Sequence, residues 1–165
     1  MTQPTSHWDY TVTVGQGVVV DKADNCYMSG KSLRGWTLDG IDLLIPKNTT
    51  FLTKSNTWQG RLLWSKSTPG ENDGCAIAID KLGDVCFGGS FTGTATFGSI
   101  MLTSAGSSDG FVARYDPNGD IDWATALGGP DYDVITALAV DQKSRKVFAT
   151  GLMNFTPQGT NQSFL

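Results

Sequence analysis

Glutamate is almost missing from this chain: all but one of its 16 acidic residues are aspartate, the exception being Glu71. A sequence that avoids this strong helix former and carries 20 glycines is not expected to build long helices. Histidine is limited to His7, which excludes a multi-histidine metal centre and leaves a His-based triad resting on one terminal residue. The three cysteines are odd in number and form no Cys-x-x-Cys, so neither a disulfide framework nor a zinc site is indicated. No apolar run reaches the roughly 18 residues of a membrane span. The polar opening Met1-Thr2-Gln3-Pro4-Thr5-Ser6 lacks the basic and hydrophobic regions of a secretory signal. The net charge of −4 is scattered, with no basic stripe for nucleic acid and no polybasic patch for an anionic membrane. Neither a Gly-x-Ser-x-Gly elbow nor a phosphate loop occurs, and Gly15-Gln16-Gly17 alone is too short to mean nucleotide binding. The expectation is a chain that is not an enzyme, with no catalytic residues, no cofactor, no nucleic-acid partner and no membrane insertion.

What the chain does have is a repeat. Val18-Val19-Val20-Asp21, Ile77-Ala78-Ile79-Asp80 and Leu138-Ala139-Val140-Asp141 are each followed nine or ten residues later by Gly30, Gly89 or Gly151. Phe51 and Phe111 stand 60 residues apart, and Trp64 and Trp123 stand 59 apart. Self-similarity at a fixed period marks a modular fold whose units bury their faces only against neighbours.

Within the central unit, Cys75 to Asp80 reads as a strand buried on both faces, and Lys81-Leu82-Gly83-Asp84 as the hairpin leading to a second strand, Val85 to Ser90. Gly88 and Gly89 point to close backbone approach or a bulge. A third strand spans Gly110 to Tyr115, the turn Asp116-Pro117-Asn118-Gly119 follows, and a fourth strand runs from Asp120 to Ala126. The first unit repeats the plan near Gly17 to Asp21, Asn25 to Ser29, Thr50 to Ser55 and Gly60 to Lys66. Its long connection, Gly35 to Thr49, is expected to hold an extra hairpin matching Ala95 to Thr103 in the second unit, or an exposed apolar patch for a partner. The fold class is therefore all-β, with antiparallel four-stranded propeller-like blades: a partial unit over 1–16, complete units over 17–67 and 74–127, and a partial unit over 134–165. Cys26 and Cys86 are read as one small buried hydrophobe used twice.

From about residue 70 to 153 the phrases are familiar. Phe91-Thr92-Gly93-Thr94-Ala95-Thr96-Phe97-Gly98, Ser108-Asp109-Gly110-Phe111-Val112-Ala113-Arg114-Tyr115-Asp116, Gly119-Asp120-Ile121-Asp122-Trp123 and Leu127-Gly128-Gly129 resemble the bacterial β-propeller repeats called SBBP repeats. The resemblance implies a propeller fold in large secreted or cell-surface proteins, where such repeats serve as scaffolding or binding modules and share no catalytic residues. Residues 8 to 69 match more loosely. The third unit also departs, having Gln142-Lys143-Ser144-Arg145 where a glycine turn is expected.

The remaining candidates are few. Glu71 and Asp73 follow Pro69-Gly70, and Asp131 and Asp133 follow Gly128-Gly129-Pro130. Each pair offers oxygen ligands for Ca²⁺ or, alternatively, caps for backbone N–H groups. Asp21, Asp80 and Asp141 read as turn-fixing residues. Trp36 and Trp58 are the candidates for stacking on a sugar. Asn48, Asn154 and Asn161 lie in Asn-x-Ser/Thr sequons, which accept glycans only in a eukaryotic secretory pathway. The Trp8 segment reads as a fourth strand lacking its first three, and the third unit stops at Ser163-Phe164-Leu165. Unpaired strand edges of this kind invite a protein partner or self-association. A carbohydrate-binding propeller and a calcium-stabilised adhesin are the competing expectations.

Overall fold

The computed structural model describes residues 13–32, 36–38, 41–43, 49–69 and 76–154. His7, Trp8, Asn48, Glu71, Asp73, Cys75, Asn161 and the last residues lie outside them, as do the expectations placed there. The described residues are all-β, and their strand pairs are antiparallel.

One four-stranded sheet holds β1 (Thr13–Val20), β2 (Asn25–Ser32), β5 (Thr49–Asn56) and β6 (Leu62–Pro69), and between β2 and β5 lies the small hairpin of β3 (Trp36–Leu38) and β4 (Ile41–Leu43). A second sheet of the same order holds β7 (Ala76–Ile79), β8 (Val85–Phe91), β11 (Asp109–Tyr115) and β12 (Ile121–Leu127), with the hairpin of β9 (Thr94–Phe97) and β10 (Ile100–Thr103) between its second and third strands. A third unit contributes the pair β13 (Val134–Val140) and β14 (Val147–Leu152).

Aspartate sets the corners. Asp80 N–H donates to the Asp84 carbonyl at 3.0 Å while Gly83 N–H donates to the Asp80 carbonyl at 3.1 Å, and Gly83 takes φ +90°. Such a turn needs a left-handed residue in its penultimate place, which glycine adopts without steric cost. The Asp80 carboxylate accepts the Leu82 and Asp84 amides at 2.8 and 3.1 Å. Asp21 does the same for Ala23 and Asn25, and Asp116 for Asn118 and Asp120. At the third corner Asp141 accepts the Lys143 and Ser144 amides across a loop one residue longer. There the left-handed place is filled by Arg145 at φ 60°, as it is by Asp24 at φ 58° in the first corner. The turn-fixing reading of Asp21, Asp80 and Asp141 is what the hydrogen bonds show.

Two of the landmark glycines, Gly30 and Gly151, have a steric cause. The β1–β2 register skips Gln16 between Gly15 and Gly17, and the β13–β14 register skips Thr136 between Ile135 and Ala137. Opposite each bulge stands a glycine. A Cβ on Gly30 would lie 2.2 Å from the Val14 carbonyl oxygen, and one on Gly151 would lie 1.8 Å from that of Val134. Because the bulge keeps β1 paired on both sides, the strand begins at Thr13, ahead of the expected Gly17. Gly88 serves close approach rather than a bulge: the β8 pairings run without a shift, and a Cβ there would meet Ile135 and Leu138 of β13 within about 3 Å.

Two expectations need correction. The strand expected over Cys75–Asp80 packs toward both neighbours but is only partly covered: in β7, Ala76 is buried on one side while Ile77 and Ile79 are half-buried on the other, because β7 is an edge strand whereas β8 and β11 are the fully covered centre. Cys26 and Cys86 are not equivalent either. Cys26 pairs with Val20 and Val85 with Ile79, so the partner of Cys26 in the repeat is Val85, and Cys86 corresponds to Tyr27. A slip of one residue moves a side chain to the other face of its sheet.

The main core lies between the first and second sheets, where Tyr27 and Leu52 meet Val85, Phe87, Phe91, Phe97, Phe111 and Tyr115. Phe111 is its centre, with Phe87, Phe91 and Phe97 at ring distances of 5.2, 6.3 and 4.8 Å. A smaller core of Ala76, Val112 and Ile135, flanked by Trp123, Leu127 and Leu138, joins the second sheet to the third hairpin. Alternation along β8 therefore splits its residues between two neighbours, Val85 and Phe87 toward the first sheet and Gly88 toward the third hairpin.

Candidate functional site

The β1–β2, β7–β8, β11–β12 and β13–β14 turns lie at one end of their sheets, and the charged side chains of the described residues concentrate there. Between the first and second sheets, Lys54 Nζ donates to the Pro117 carbonyl at 2.9 Å, lies 3.7 Å from Asp21 and sits 5.0 Å from the centre of the Tyr27 ring. Trp64 Nε1 donates to the same Pro117 carbonyl at 3.1 Å. The Tyr27 hydroxyl reaches Asp21 Oδ2 at 3.2 Å and the Gly83 carbonyl at 3.4 Å. Beside these contacts is an open cleft of about 250 Å³ lined by Asp21, Asn25, Lys54, Asp80, Gly83 and Pro117, among others.

Between the second sheet and the third hairpin the corresponding corner is filled. Arg145, projected by its left-handed backbone, donates Nε to Asp80 Oδ2 at 2.7 Å and pairs with Asp84. Arg114, the register counterpart of Lys54 opposite Trp123, binds Asp80 at 3.0 Å, pairs with Asp84, and places Nε 3.5 Å from Asp122. Gln142 Nε2 adds a bond to the Ile79 carbonyl at 3.0 Å. A left-handed arginine carries a backbone cost of about 1 kcal/mol, which the two carboxylates offset.

Electrostatics agree with a structural joint. Burial alone would raise the Asp80 carboxyl, but hydrogen bonds from Arg145 and from the Leu82 and Asp84 amides hold it below the ordinary aspartate range. Burial and the adjacent Asp80 charge push Asp84 up. Burial, with Asp21 beside it, raises the Tyr27 hydroxyl, and burial followed by Asp80 and Asp84 pushes the Cys86 thiol up to about 12. Neither group is a nucleophile at neutral pH. Two guanidinium groups face the two carboxylates, so the cluster ties the second sheet to the third hairpin.

The expected site residues scatter. Asp133 is buried, and its two carboxylate oxygens accept the Gly129 and Asn154 amides at 2.7 and 2.8 Å. It thereby follows the capping alternative. Asp131 contributes its backbone carbonyl, which accepts the Ser108 amide at 3.4 Å. Among the described residues no group of three or more His, Cys, Asp or Glu side chains is placed to hold a metal ion. Trp58 is 84% exposed on the β5–β6 turn, where its amide is held by Asn56 Oδ1. Trp36 opens β3, and its side chain lies outside the described residues. Asn154 is exposed and donates Nδ2 to the Tyr132 carbonyl at 2.7 Å. No helix among the described residues is long and apolar enough to cross a membrane.

No family model matches the chain, and no curated protein matches it.

The residues that join the units, namely Tyr27, Lys54, Arg114 and Arg145, did not stand out in the sequence. The signal for Arg145 was its occupation of a place where the other corners favour a residue tolerant of positive φ.

Proposed function

We propose that the chain is a non-enzymatic segment of a β-propeller-type repeat array, its two four-stranded sheets acting as blades, and that it serves as a structural or protein-interaction module. The observation that carries this reading is one set of positions seen in packed and open states. Val18, Ile77 and Leu138 stand at the same distance before their corner aspartates. Ile77 packs on the first sheet's core and Leu138 on the second sheet's, whereas Val18 is 63% exposed. On the opposite faces, Tyr27 and Cys86 are buried by the next unit, while their counterpart Phe148 is 49% exposed. Apolar side chains that are covered in two copies of a repeat and bare in the third mark packing faces.

The resemblance to SBBP repeats supports the same reading and extends it to a secreted or cell-surface protein. The test is Val18→Asp and Phe148→Asp, compared with the unmodified chain by size-exclusion chromatography with light scattering. The unmodified chain associates at micromolar concentration, and each variant keeps its far-UV spectrum but elutes as one chain. A folded unmodified chain that stays monomeric and binds no added repeat unit overturns the module reading. One observation favours a second reading: the bare indole of Trp58 is a surface for a sugar ring. A glycan screen that finds a ligand whose affinity falls on Trp58→Ala supports it, and a screen without binding removes it. The calcium-stabilised alternative has less support, since no group of three or more His, Cys, Asp or Glu side chains among the described residues is placed to hold a metal ion.

A further inference from the structure

The two internal joints follow a rule that can be applied to the outer faces of the first sheet and of the third hairpin. In every corner the aspartate amide donates to the carbonyl of the residue that follows the left-handed one: Asn25 in the first, Asp84 in the second and Lys146 in the third. In each joint, the left-handed residue of one corner lies near this closing residue of the preceding corner. At the joint between the first and second sheets these are Gly83 and Asn25, both lining the cleft and both neutral. At the joint between the second sheet and the third hairpin they are Arg145 and Asp84, an ion pair. The positions left over are Asp24, left-handed and exposed on the first corner, and Lys146, exposed where the third corner closes. They carry opposite charges, with the polarity reversed from the internal pair. Asp141, the other acid at that corner, is held by its own loop through the Lys143 and Ser144 amides and the Ser144 hydroxyl.

Two further features agree. The open face of β1 presents Val18 and Val20, and the open face of β14 presents Phe148 and Leu152, so each end offers an apolar strip of the kind buried inside. The turn Asp116–Asp120 of the second sheet rests on the first, its Gly119 against Trp64 and Lys66. The matching turn of the first sheet is bonded back to its own corner, Thr57 donating its amide and hydroxyl to the Asp24 carbonyl, and it carries the bare Trp58.

We propose that the chain assembles head to tail with a second copy of itself, the first sheet of one copy seated on the third hairpin of the other, with Asp24 of one facing Lys146 of the other. This rests on the reading above that the sheets are units of a propeller-type array. Two copies joined at both ends bring together about six sheets, within the four to eight blades of a closed propeller. A contact of one end with the other is heterologous, and it closes only if the rotation brings the last end back to the first.

Charge reversal tests the joint. Asp24→Lys places two lysines at it and Lys146→Asp places two aspartates, so each variant alone associates at least about tenfold more weakly than the unmodified chain. When the two variants are mixed, a pair made of one copy of each has two complementary joints. At one of them the introduced lysine faces the introduced aspartate, and at the other the native Asp24 faces the native Lys146. An equimolar mixture therefore regains the unmodified mass, and the double variant associates as the unmodified chain does. Recovery on mixing also shows that each variant was folded. Light scattering reads the mass. Association that neither reversal weakens, or that mixing does not restore, overturns the head-to-tail joint while leaving the module reading in place. An unmodified chain that stays monomeric alone and also fails to bind flanking repeats of a longer polypeptide overturns both, whereas one that is monomeric alone and associates only with such repeats overturns the second copy as the occupant and leaves the module reading in place.

Discussion

Substituting alanine at Gly30 and at Gly15 separates the steric cause of the repeat's glycine from its general flexibility. The two residues are cross-strand partners in β1–β2, so they share the same sheet and the same bulge. A methyl on Gly15 meets no atom within 4 Å, whereas one on Gly30 lies 2.2 Å from the Val14 carbonyl oxygen and 2.7 Å from Phe51 Cζ. Both obstacles are hard: the oxygen belongs to the backbone, and Phe51 is a buried side chain. To reach ordinary contact the strands must part by about 1 Å at the bulge, which combines overpacking of roughly 1–3 kcal/mol with weakening of a ladder bond worth about 1 kcal/mol. Expelling the bulge instead is worse, because a shift of one residue turns Val19 away from the core it packs against. Gly30→Ala is therefore expected to destabilise by about 3 kcal/mol, a fall in melting temperature of roughly 6–12 °C for a chain of this size. Gly15→Ala should be neutral, or stabilise by up to about 1 kcal/mol through the unfolded chain. Urea unfolding followed by tryptophan fluorescence, with calorimetry for the melting temperature, measures both. Equal effects at the two positions, or a Gly30→Ala chain within about 0.5 kcal/mol of the unmodified one, would refute the bulge as the reason for the landmark.

Two more outcomes follow from the corners. Asp21, Asp80 and Asp116 have carboxyls that burial would raise but hydrogen bonds hold below the ordinary 3.8, and Asp141, held mainly by Ser144 and its loop amides, is lowered too. Their stabilisation is complete above the unfolded value and is lost as pH falls through the lower folded values, while Asp84, raised by burial and Asp80, offsets part of the loss. The melting temperature should be level above about pH 5 and fall steeply below about pH 4, less steeply in Asp116→Asn; a level profile down to the acid limit contradicts this. Cys86, with its thiol pushed up to about 12 by burial and then by Asp80 and Asp84, should resist iodoacetamide in the folded chain and react once urea is added. Peptide mass spectrometry showing Cys86 alkylated as fast in the native chain as in the unfolded one would contradict the packed joint with the third hairpin.

The sequence made local chemistry legible and cross-unit chemistry much less so. Aspartate corners, the Asp116–Gly119 turn and the inserted hairpin at Ala95–Thr103 each depend on a few neighbouring residues, and they lie where the residues place them. Cys26 and Cys86 are 60 residues apart whereas the corner aspartates Asp21 and Asp80 are 59 apart, so the two cysteines are out of step by one residue, and one residue decides the face. In the sequence Arg145 shows only as the loss of a glycine turn. Its function depends on Asp80, 65 residues away, and no local pattern announces such a pair. Of the binding candidates, Trp58 stands bare as a ligand surface requires, while Asp133 is spent on holding its own loop.

Sedimentation equilibrium of the unmodified chain, from low to high micromolar concentration, tests most directly the claim that the bare faces of β1 and β14 are packing faces. The expected result is a mass of about 35 kDa, two copies joined at both ends. A single species at the 17.6 kDa of one chain across the whole range, with the fold intact, would contradict it.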